Sequence, residues 1–245
     1  MPKQTWHGPG QLLDGVAGTS EAKADTQTET ANGMQFYGRR ILFLGAHPDD
    51  IELGCGALIH HVARLSEVTC VTLSDNQQNP ELKHVVSEQR KSMGILGVSP
   101  DCTRYGPFET RVFPQARQEI LEYFLRLRNE LRPEIIFVHS NEDVHQDHLT
   151  MTQEALRAFR GITLLGFDVV RSSYGFFPHF LVEVSEADVA AKIEALAQYE
   201  TYRDKYYFNS ELTRSIMIRH GALAEKDYAE GFDILRIVGR FEVCE

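Results

Sequence analysis

Short apolar runs alternate with helical patterns through most of the chain, and this alternation constrains the fold more than any other feature. The runs at residues 40–46, 67–73 and 135–138 are rich in apolar and β-branched side chains, as buried strands are. Between them, residues 52–65 and 113–131 carry apolar side chains at helical spacing. Strands that alternate with helices of this length favour parallel pairing with right-handed crossovers. We therefore predict one α/β domain, with a Rossmann-like, mostly parallel sheet flanked by helices.

The start of the chain differs from this pattern. The stretch 19–32 has no large apolar side chain and cannot bury enough surface to offset its ordering entropy. We predict a flexible N-terminal arm over residues 1–35 and a folded domain over 36–245. Alternatively, Trp6 and residues 12 and 13 dock the arm on a neighbouring subunit. Further helices are predicted at 82–96, 149–159, 186–199 and 212–221, and further strands at 103–105, 166–171, 180–183 and 229–238.

The charge balance and the cysteine content limit the partners and the compartment. The chain of 245 residues has 25 basic and 35 acidic side chains, which gives a net charge of −10. Such a chain gains no general attraction to nucleic acid or anionic membranes, and no apolar stretch approaches the roughly 18 residues that span a bilayer. Its four cysteines form no CxxC pair and are expected to be reduced. We expect a cytoplasmic protein with no nucleic acid partner and no membrane span, and the arm suggests a homo-oligomer.

Two polar clusters follow predicted strands directly. His47, Asp49 and Asp50 come at the end of the first strand, where ligand sites gather in open α/β sheets. Because the side chains of two adjacent aspartates diverge, one carboxylate can bind a metal while the other faces a substrate. The first cluster therefore predicts a site at the carboxyl edge of the sheet.

The second cluster, residues 139–148, also follows a strand. His145 and His148 are three residues apart at the predicted start of a helix, so they lie within one turn. Two histidines and one carboxylate leave a coordination position open, as in catalytic zinc sites, although iron, nickel or cobalt could occupy such a site. As alternatives, Asp49 or Asp50 caps the following helix and the histidines are ordinary surface residues. Two such clusters together favour the metal site.

The residues of both clusters carry a family resemblance. The run Ala46-His47-Pro48-Asp49-Asp50, followed by Glu52-Leu53-Gly54-Cys55-Gly56, resembles the first signature of the LmbE/PIG-L-like de-N-acetylases. The run Asp143-x-His145-x-Asp147-His148 resembles the second signature. The signatures stand in the family's order, and the resemblance covers residues 40–238.

The resemblance implies a reaction and a role for each matching position. The reaction is hydrolysis of the N-acetyl group of an amino sugar or its conjugate, which gives acetate and a free amine, with Zn²⁺ as the cofactor. Asp49 would be the general base, and His145 would stabilise the oxyanion or protonate the leaving amine. Asp143 or Asp147 would orient that imidazole. The implied metal ligands are His47, Asp50 and His148.

Other positions leave the substrate open. Gln146 stands where the family commonly has proline, and Tyr199 stands where it often has histidine. Arg90 and Arg111 could grip an acidic or phosphate-bearing part of a substrate, or could be solvated surface arginines. A metal-dependent amidase that acts on another acylated small molecule, such as a natural product or an N-formyl sugar, fits the same motifs. So does a non-catalytic sugar-binding relative.

Overall fold

The computed structural model describes residues 34–76 and 78–239. The predicted N-terminal arm, except residues 34 and 35, lies outside these ranges, and so does Cys244. Within them, Cys55 and Cys70 are free and buried, whereas Cys102 is free and half-buried. None of the described helices is long and apolar enough to cross a membrane.

Seven strands form one sheet in the described part of the chain: β1 (Arg40–Gly45), β2 (Glu67–Thr72), β3 (Thr103–Tyr105), β4 (Ile135–His139), β5 (Thr163–Phe167), β6 (Phe180–Glu183) and β7 (Ala229–Arg236). Their order across the sheet is β3-β2-β1-β4-β5-β7-β6. Strands β1 to β5 pair in parallel, and β7 pairs antiparallel with both β5 and β6. The predicted α/β fold with a mostly parallel sheet is confirmed.

Six α-helices occur in the same ranges: α1 (Asp50–Val62), α2 (Val85–Ile95), α3 (Arg117–Leu131), α4 (Gln146–Ala158), α5 (Glu186–Leu196) and α6 (Ser210–Leu223). Helices α2 and α3 begin later than predicted, because proline-containing 3₁₀ turns at Pro80–Leu82 and Phe113–Gln115 precede them. Helix α4 begins earlier, at Gln146 instead of Leu149. This early start places the histidines of the second cluster at the helix N-terminus.

The strand predicted at residues 166–171 is displaced toward the N-terminus. Strand β5 ends at Phe167, and the chain then turns, with the N–H of Val169 donating to the Ser173 hydroxyl at 3.2 Å. The apolar pair Val169 and Val170 therefore does not continue the strand. The segment 168–171 lies instead beyond the carboxyl end of the sheet.

Helix α1 packs closely on its neighbours because two of its residues are glycine. A Cβ at Gly54 would lie 2.3 Å from the ring of Phe167, and a Cβ at Gly56 would lie 2.9 Å from the side chain of Lys192. The buried carboxylate of Glu230 accepts two backbone N–H groups of α1 at 3.0 and 2.8 Å and the Lys192 ammonium at 2.7 Å. These contacts fix the position of α1, and with it the aspartate at the first residue of the helix.

The strand order places a crevice between β1 and β4. From β1 the chain moves to β2 on one side, and β4 lies on the other side. Helices α3 and α4 cover one face of the sheet over a core that includes Leu42, Phe124 and Ile136, while α1 packs with α5 on the other face. A crevice at the carboxyl ends of the strands at such a reversal is the usual ligand site of an open α/β sheet.

Candidate active site

The turn between β1 and α1 presents Asp49 in an unusual backbone conformation. Its φ of 106° lies in the left-handed region, where a non-glycine residue costs of the order of 1–3 kcal/mol. Asp49 stands at the N-cap of α1, but its side chain makes no capping hydrogen bond. It lines a cavity beside His47 instead. The structure therefore does not support the helix-cap interpretation of Asp49, and strain of this kind clusters at functional sites.

The start of α4 positions the second pair of histidines. His145 is the N-cap, and its Nδ1 accepts the N–H of Asp147 at 3.2 Å. In a neutral ring this hydrogen bond leaves the proton on Nε2. His148 lies in the first turn and is fully buried. Both rings consequently lie next to the turn that follows β1.

Three ligand-type atoms from the two clusters form a nearly equilateral triangle. Oδ2 of Asp50 is 3.4 Å from Nδ1 of His47 and 3.4 Å from Nε2 of His148, and the two nitrogens are 3.3 Å apart. Zinc bonds of about 2.0–2.2 Å in tetrahedral geometry separate neighbouring ligand atoms by about 3.3–3.6 Å. The donor types and their spacing therefore fit a tetrahedral divalent metal with one position left open.

Carboxylates hold the far side of both imidazoles. Nε2–H of His47 donates to Asp147 at 3.0 Å, and Nδ1–H of His148 donates to Asp143 at 2.7 Å. The lone pairs of the inner nitrogens then point into the triangle, as is usual for histidine metal ligands. The sequence predicted that Asp143 or Asp147 would orient His145. In the structure, these carboxylates accept hydrogen bonds from the rings of His47 and His148, and Asp143 also accepts the backbone N–H of His145 at 2.8 Å.

His139, at the end of β4, also approaches these atoms. Its ring stacks on that of His148 with 3.8 Å between centroids, and its Nε2 is 3.4 Å from Asp50. That nitrogen accepts the N–H of Ala46 at 3.1 Å, so its lone pair is already used. The lone pair of His145 is used in the same way, because its Nδ1 accepts the N–H of Asp147. Among the described residues, the geometry thus favours the triangle over two other metal-compatible groups, which are Asp50, His139 and His148, and His47, His145 and His148.

Burial and charge push the two neighbouring carboxyls in opposite directions. Burial and the charge of Asp50 raise the pKa of Asp49 well above its usual value. Burial also acts on Asp50, but without a metal its interactions with the imidazoles of His148 and His139 outweigh burial and hold the pKa of Asp50 well below its usual value. Burial lowers the pKa of His145 to about 4. Asp50 is therefore an anion suited to metal binding, Asp49 can take up a proton, and His145 is a neutral hydrogen-bond donor.

A cavity of about 1030 Å³ opens beside the triangle. Of the two predicted substrate contacts, Arg111 lines this cavity. The structure does not bring Arg90 there, because its guanidinium lies over the ring of Tyr105, 5.6 Å from the centroid. Nor does Tyr199 line the cavity, since its hydroxyl donates to the buried Glu52 at 2.5 Å.

The cavity also contains residues that sequence reasoning missed. Arg171 lies over the ring of Tyr207, 5.1 Å from the centroid, and both line the cavity with Tyr202. Arg171 follows β5, so a correct placement of that strand would have brought it to the same edge of the sheet as the two clusters. The aromatic pair carries no comparable sequence signal, because its segment is built from short irregular turns.

Comparisons with known proteins find a matching family model and similar proteins. The family model described as "PIG-L: GlcNAc-PI de-N-acetylase" matches residues 42–159, a range that contains both histidine–aspartate clusters. The chain is 28% identical over 170 residues to the "Uncharacterized deacetylase YaiS" of Escherichia coli (strain K12). This alignment covers 66% of this chain and 90% of that protein.

A second curated relative and a solved structure extend the comparison. The "1D-myo-inositol 2-acetamido-2-deoxy-alpha-D-glucopyranoside deacetylase" of Salinispora arenicola (strain CNS-205) is 23% identical over 179 residues, which is 59% of this chain and 58% of that protein. The conserved protein TT1542 from Thermus thermophilus has the same fold, with a TM-score of 0.70, 22% identity, and coverage of 83% of this chain and 97% of that one. Over residues 42–159, the chain is thus similar to the PIG-L (LmbE-like) de-N-acetylase family, and both of these curated relatives are named deacetylases.

Proposed function

We propose that this chain is a zinc-dependent enzyme that removes the N-acetyl group of an amino sugar or an amino-sugar conjugate. The proposal depends above all on the triangle of His47, Asp50 and His148, whose edges of 3.3–3.4 Å suit tetrahedral zinc. The carboxylates on the outer imidazole nitrogens support the same ligand set. Other divalent transition metals could replace zinc at these donors.

A divalent metal at this site would polarise the amide carbonyl and make a water more acidic. Asp49, beside the triangle, accepts the proton of the attacking water. Its place in the cavity beside His47 supports this role, because a general base must lie within reach of the water that it deprotonates. The two adjacent aspartates thus have different roles. Asp50 binds the metal, and Asp49 takes up the proton.

His145 is assigned to the oxyanion. Because its Nδ1 accepts the backbone N–H of Asp147, Nε2–H is the donor available to a substrate in the cavity. A donor aimed at the oxygen where negative charge develops is worth about 10²–10³ in rate. Asp143 and Asp147 act on the chemistry through the imidazoles that they orient.

The amino-sugar substrate is supported by the description of the family and by the acetamido sugar in the name of the Salinispora relative. A cavity of about 1030 Å³ has room for a sugar with a further substituent. A cytoplasmic location and a homo-oligomeric state remain predictions from the sequence.

Acetate release tests the proposal, with N-acetylglucosamine, its glycosides and its nucleotide-linked forms as substrates. The zinc-loaded protein should release acetate from at least one of them. Asp49→Asn should bind zinc with unchanged stoichiometry and lose about 10²–10⁴ in rate. Normal turnover in that variant would overturn the assignment of the base. Turnover of an N-formyl sugar or another amide, with none of any N-acetyl sugar, would favour the alternative amidase.

A further inference from the structure

Arg111 has a backbone conformation that its own side chain disfavours. It lies in the loop between β3 and α3 with a φ of 71°, in the left-handed region that glycine adopts at little cost and arginine does not. Glycine would relieve this strain. The arginine side chain therefore does not stabilise the conformation of the loop.

The start of α4 holds both peptide groups of Arg111. Its N–H donates to Oδ2 of Asp147 at 2.6 Å, and its carbonyl accepts a hydrogen bond from the side-chain amide of Gln146. The same Oδ2 of Asp147 accepts Nε2–H of His47 at 3.0 Å. The loop is thus tied through one carboxylate oxygen to a candidate metal ligand. A proline at position 146 has no side-chain amide and could not form the Gln146 bond.

The hydrogen bonds of Arg111 to the residues that the structure describes are made by its backbone and not by its side chain. Arg111 is exposed in the cavity that also contains His47 and His145. Two other arginines of the same region are paired, Arg104 with Glu130 at 2.6 Å and Arg117 with a buried glutamate at 2.6 Å. Among residues 34–76 and 78–239, by contrast, no carboxylate lies within ion-pair distance of the Arg111 guanidinium.

We propose that Arg111 binds an anionic group of the acylated sugar, a phosphate ester or a carboxylate, and that Gln146 positions it. This inference rests on the proposed function, because it names the class of substrate. A guanidinium binds either anion through two parallel N–H···O bonds. The cavity lining is mixed in charge, since Asp75, Glu81 and Glu109 also line it. Charge alone therefore does not show which residue binds the anion. The strained, hydrogen-bonded backbone is the feature that points to Arg111.

The test compares Arg111→Gly with Arg132→Gly. Arg132 is exposed at the C-cap of α3 with a φ of 45°, so the control makes the same substitution in the same kind of backbone, away from the cavity. Because glycine suits both positions, neither variant should lower the melting temperature. The substrates are N-acetylglucosamine, N-acetylglucosamine 6-phosphate and N-acetylmuramic acid, which carry no charge, a phosphate and a carboxylate respectively.

The wild-type protein should have a KM about 10- to 100-fold lower for one of the charged sugars than for the neutral one, as hydrogen bonds to a charged group allow. Which charged sugar it prefers distinguishes phosphate from carboxylate. Arg111→Gly should raise that KM to the neutral level with kcat unchanged, and Arg132→Gly should keep the preference. Equal KM values for all the sugars in the wild type, or a preference retained in Arg111→Gly, would overturn the proposal.

Gln146→Ala tests the positioning role. The variant should raise KM for the preferred charged sugar about 3- to 10-fold, because one hydrogen bond of the clamp is lost, and should leave kcat and the KM of the neutral sugar unchanged. A parallel change for both sugars would mean that the amide only supports the structure. No change for either would mean that the clamp is unimportant.

Binding separates this proposal from the proposed reaction if no sugar is hydrolysed. Calorimetry would measure the affinity of chelator-treated protein for N-acetylglucosamine 6-phosphate and N-acetylmuramic acid. Arg111→Gly should bind the preferred sugar at least about 10-fold more weakly than the wild type. Equal affinity, or no binding by the wild type, overturns the anion site. Selective binding without acetate release overturns only the reaction.

Discussion

Replacing Gly54 by alanine should disturb the candidate metal site from a distance. The new Cβ would lie 2.3 Å from the ring of Phe167, which is fully buried, so the ring must move. Phe167 lies 4.6 Å from His139 between ring centroids, and His139 stacks on His148 at 3.8 Å. A shift of Phe167 is therefore passed through two contacts to a proposed metal ligand.

Gly94→Ala is the matched control, because Gly94 is also helical and a Cβ there would meet nothing within 4 Å. Alanine improves helix propensity at both positions by up to about 1 kcal/mol. At Gly54 this gain opposes an overpacking cost of about 1–3 kcal/mol. We expect Gly54→Ala to be less stable than the wild type by about 1–2 kcal/mol, and Gly94→Ala to be slightly more stable. At about 2–4 °C per kcal/mol for a chain of this size, the two melting temperatures should differ by roughly 3–12 °C.

The assay is thermal unfolding together with zinc affinity. Because the disturbance reaches the imidazoles around the site, Gly54→Ala should also bind zinc about 10-fold more weakly, at the lower end of what loss of a supporting contact costs a metal site. Gly94→Ala should bind zinc like the wild type. If Gly54→Ala has the same melting temperature as Gly94→Ala and keeps wild-type zinc affinity, the reasoning from the packing of α1 is refuted.

Other substitutions test the supports of the fold and of the site. Glu230→Gln leaves the buried Lys192 ammonium without its carboxylate partner at 2.7 Å. Denaturant titration should show that the free energy of unfolding falls by about 3–5 kcal/mol. An unchanged midpoint would contradict the importance of this pair. Asp188 caps α5 with Ser185, whose hydrogen bonds outweigh burial and hold the pKa of Asp188 below its usual value. Asp188→Asn should therefore lower the free energy of unfolding by about 1 kcal/mol. This loss applies above pH ~4, the pKa of an unfolded aspartate. This difference should vanish as the pH falls through the lowered pKa, and a constant difference down to pH 2 would exclude the charge as its cause. Asp143→Asn should weaken zinc binding about 10- to 100-fold by equilibrium dialysis, whereas unchanged affinity would show that this carboxylate does not support the ligand.

The site could be predicted from the sequence where it depends only on strand ends. His47 and Asp50 follow β1, and His148 follows β4, and the carboxyl ends of adjacent parallel strands meet whatever the details of the loops. The strand order places β1 beside β4, as this logic requires. The α/β architecture follows from the same alternation of strands and helices.

The partners within the site could not be predicted, because they depend on where single helices and strands begin and end. Helix α4 begins at Gln146, earlier than apolar periodicity indicates, so His145 becomes its N-cap and Asp147 reaches His47. Arg171 was missed for a similar reason, since Val169 and its apolar neighbour resemble a continuing strand when β5 has already ended. The pattern of apolar residues indicates which positions are buried. The start of α4 and the end of β5 depend instead on polar hydrogen bonds, which that pattern does not show.

Metal content and acetate release, measured on the same zinc-loaded samples, test the central claim most directly. Alanine variants of His47, Asp50 and His148 should lose both the metal and the activity, because each removes a corner of the triangle. Asp49→Ala and His145→Ala should keep stoichiometric zinc and lose activity, since these residues act on the water and on the oxyanion. Loss of zinc in His145→Ala, or full zinc occupancy in Asp50→Ala, would contradict the division between the groups that hold the metal and those that act on the substrate.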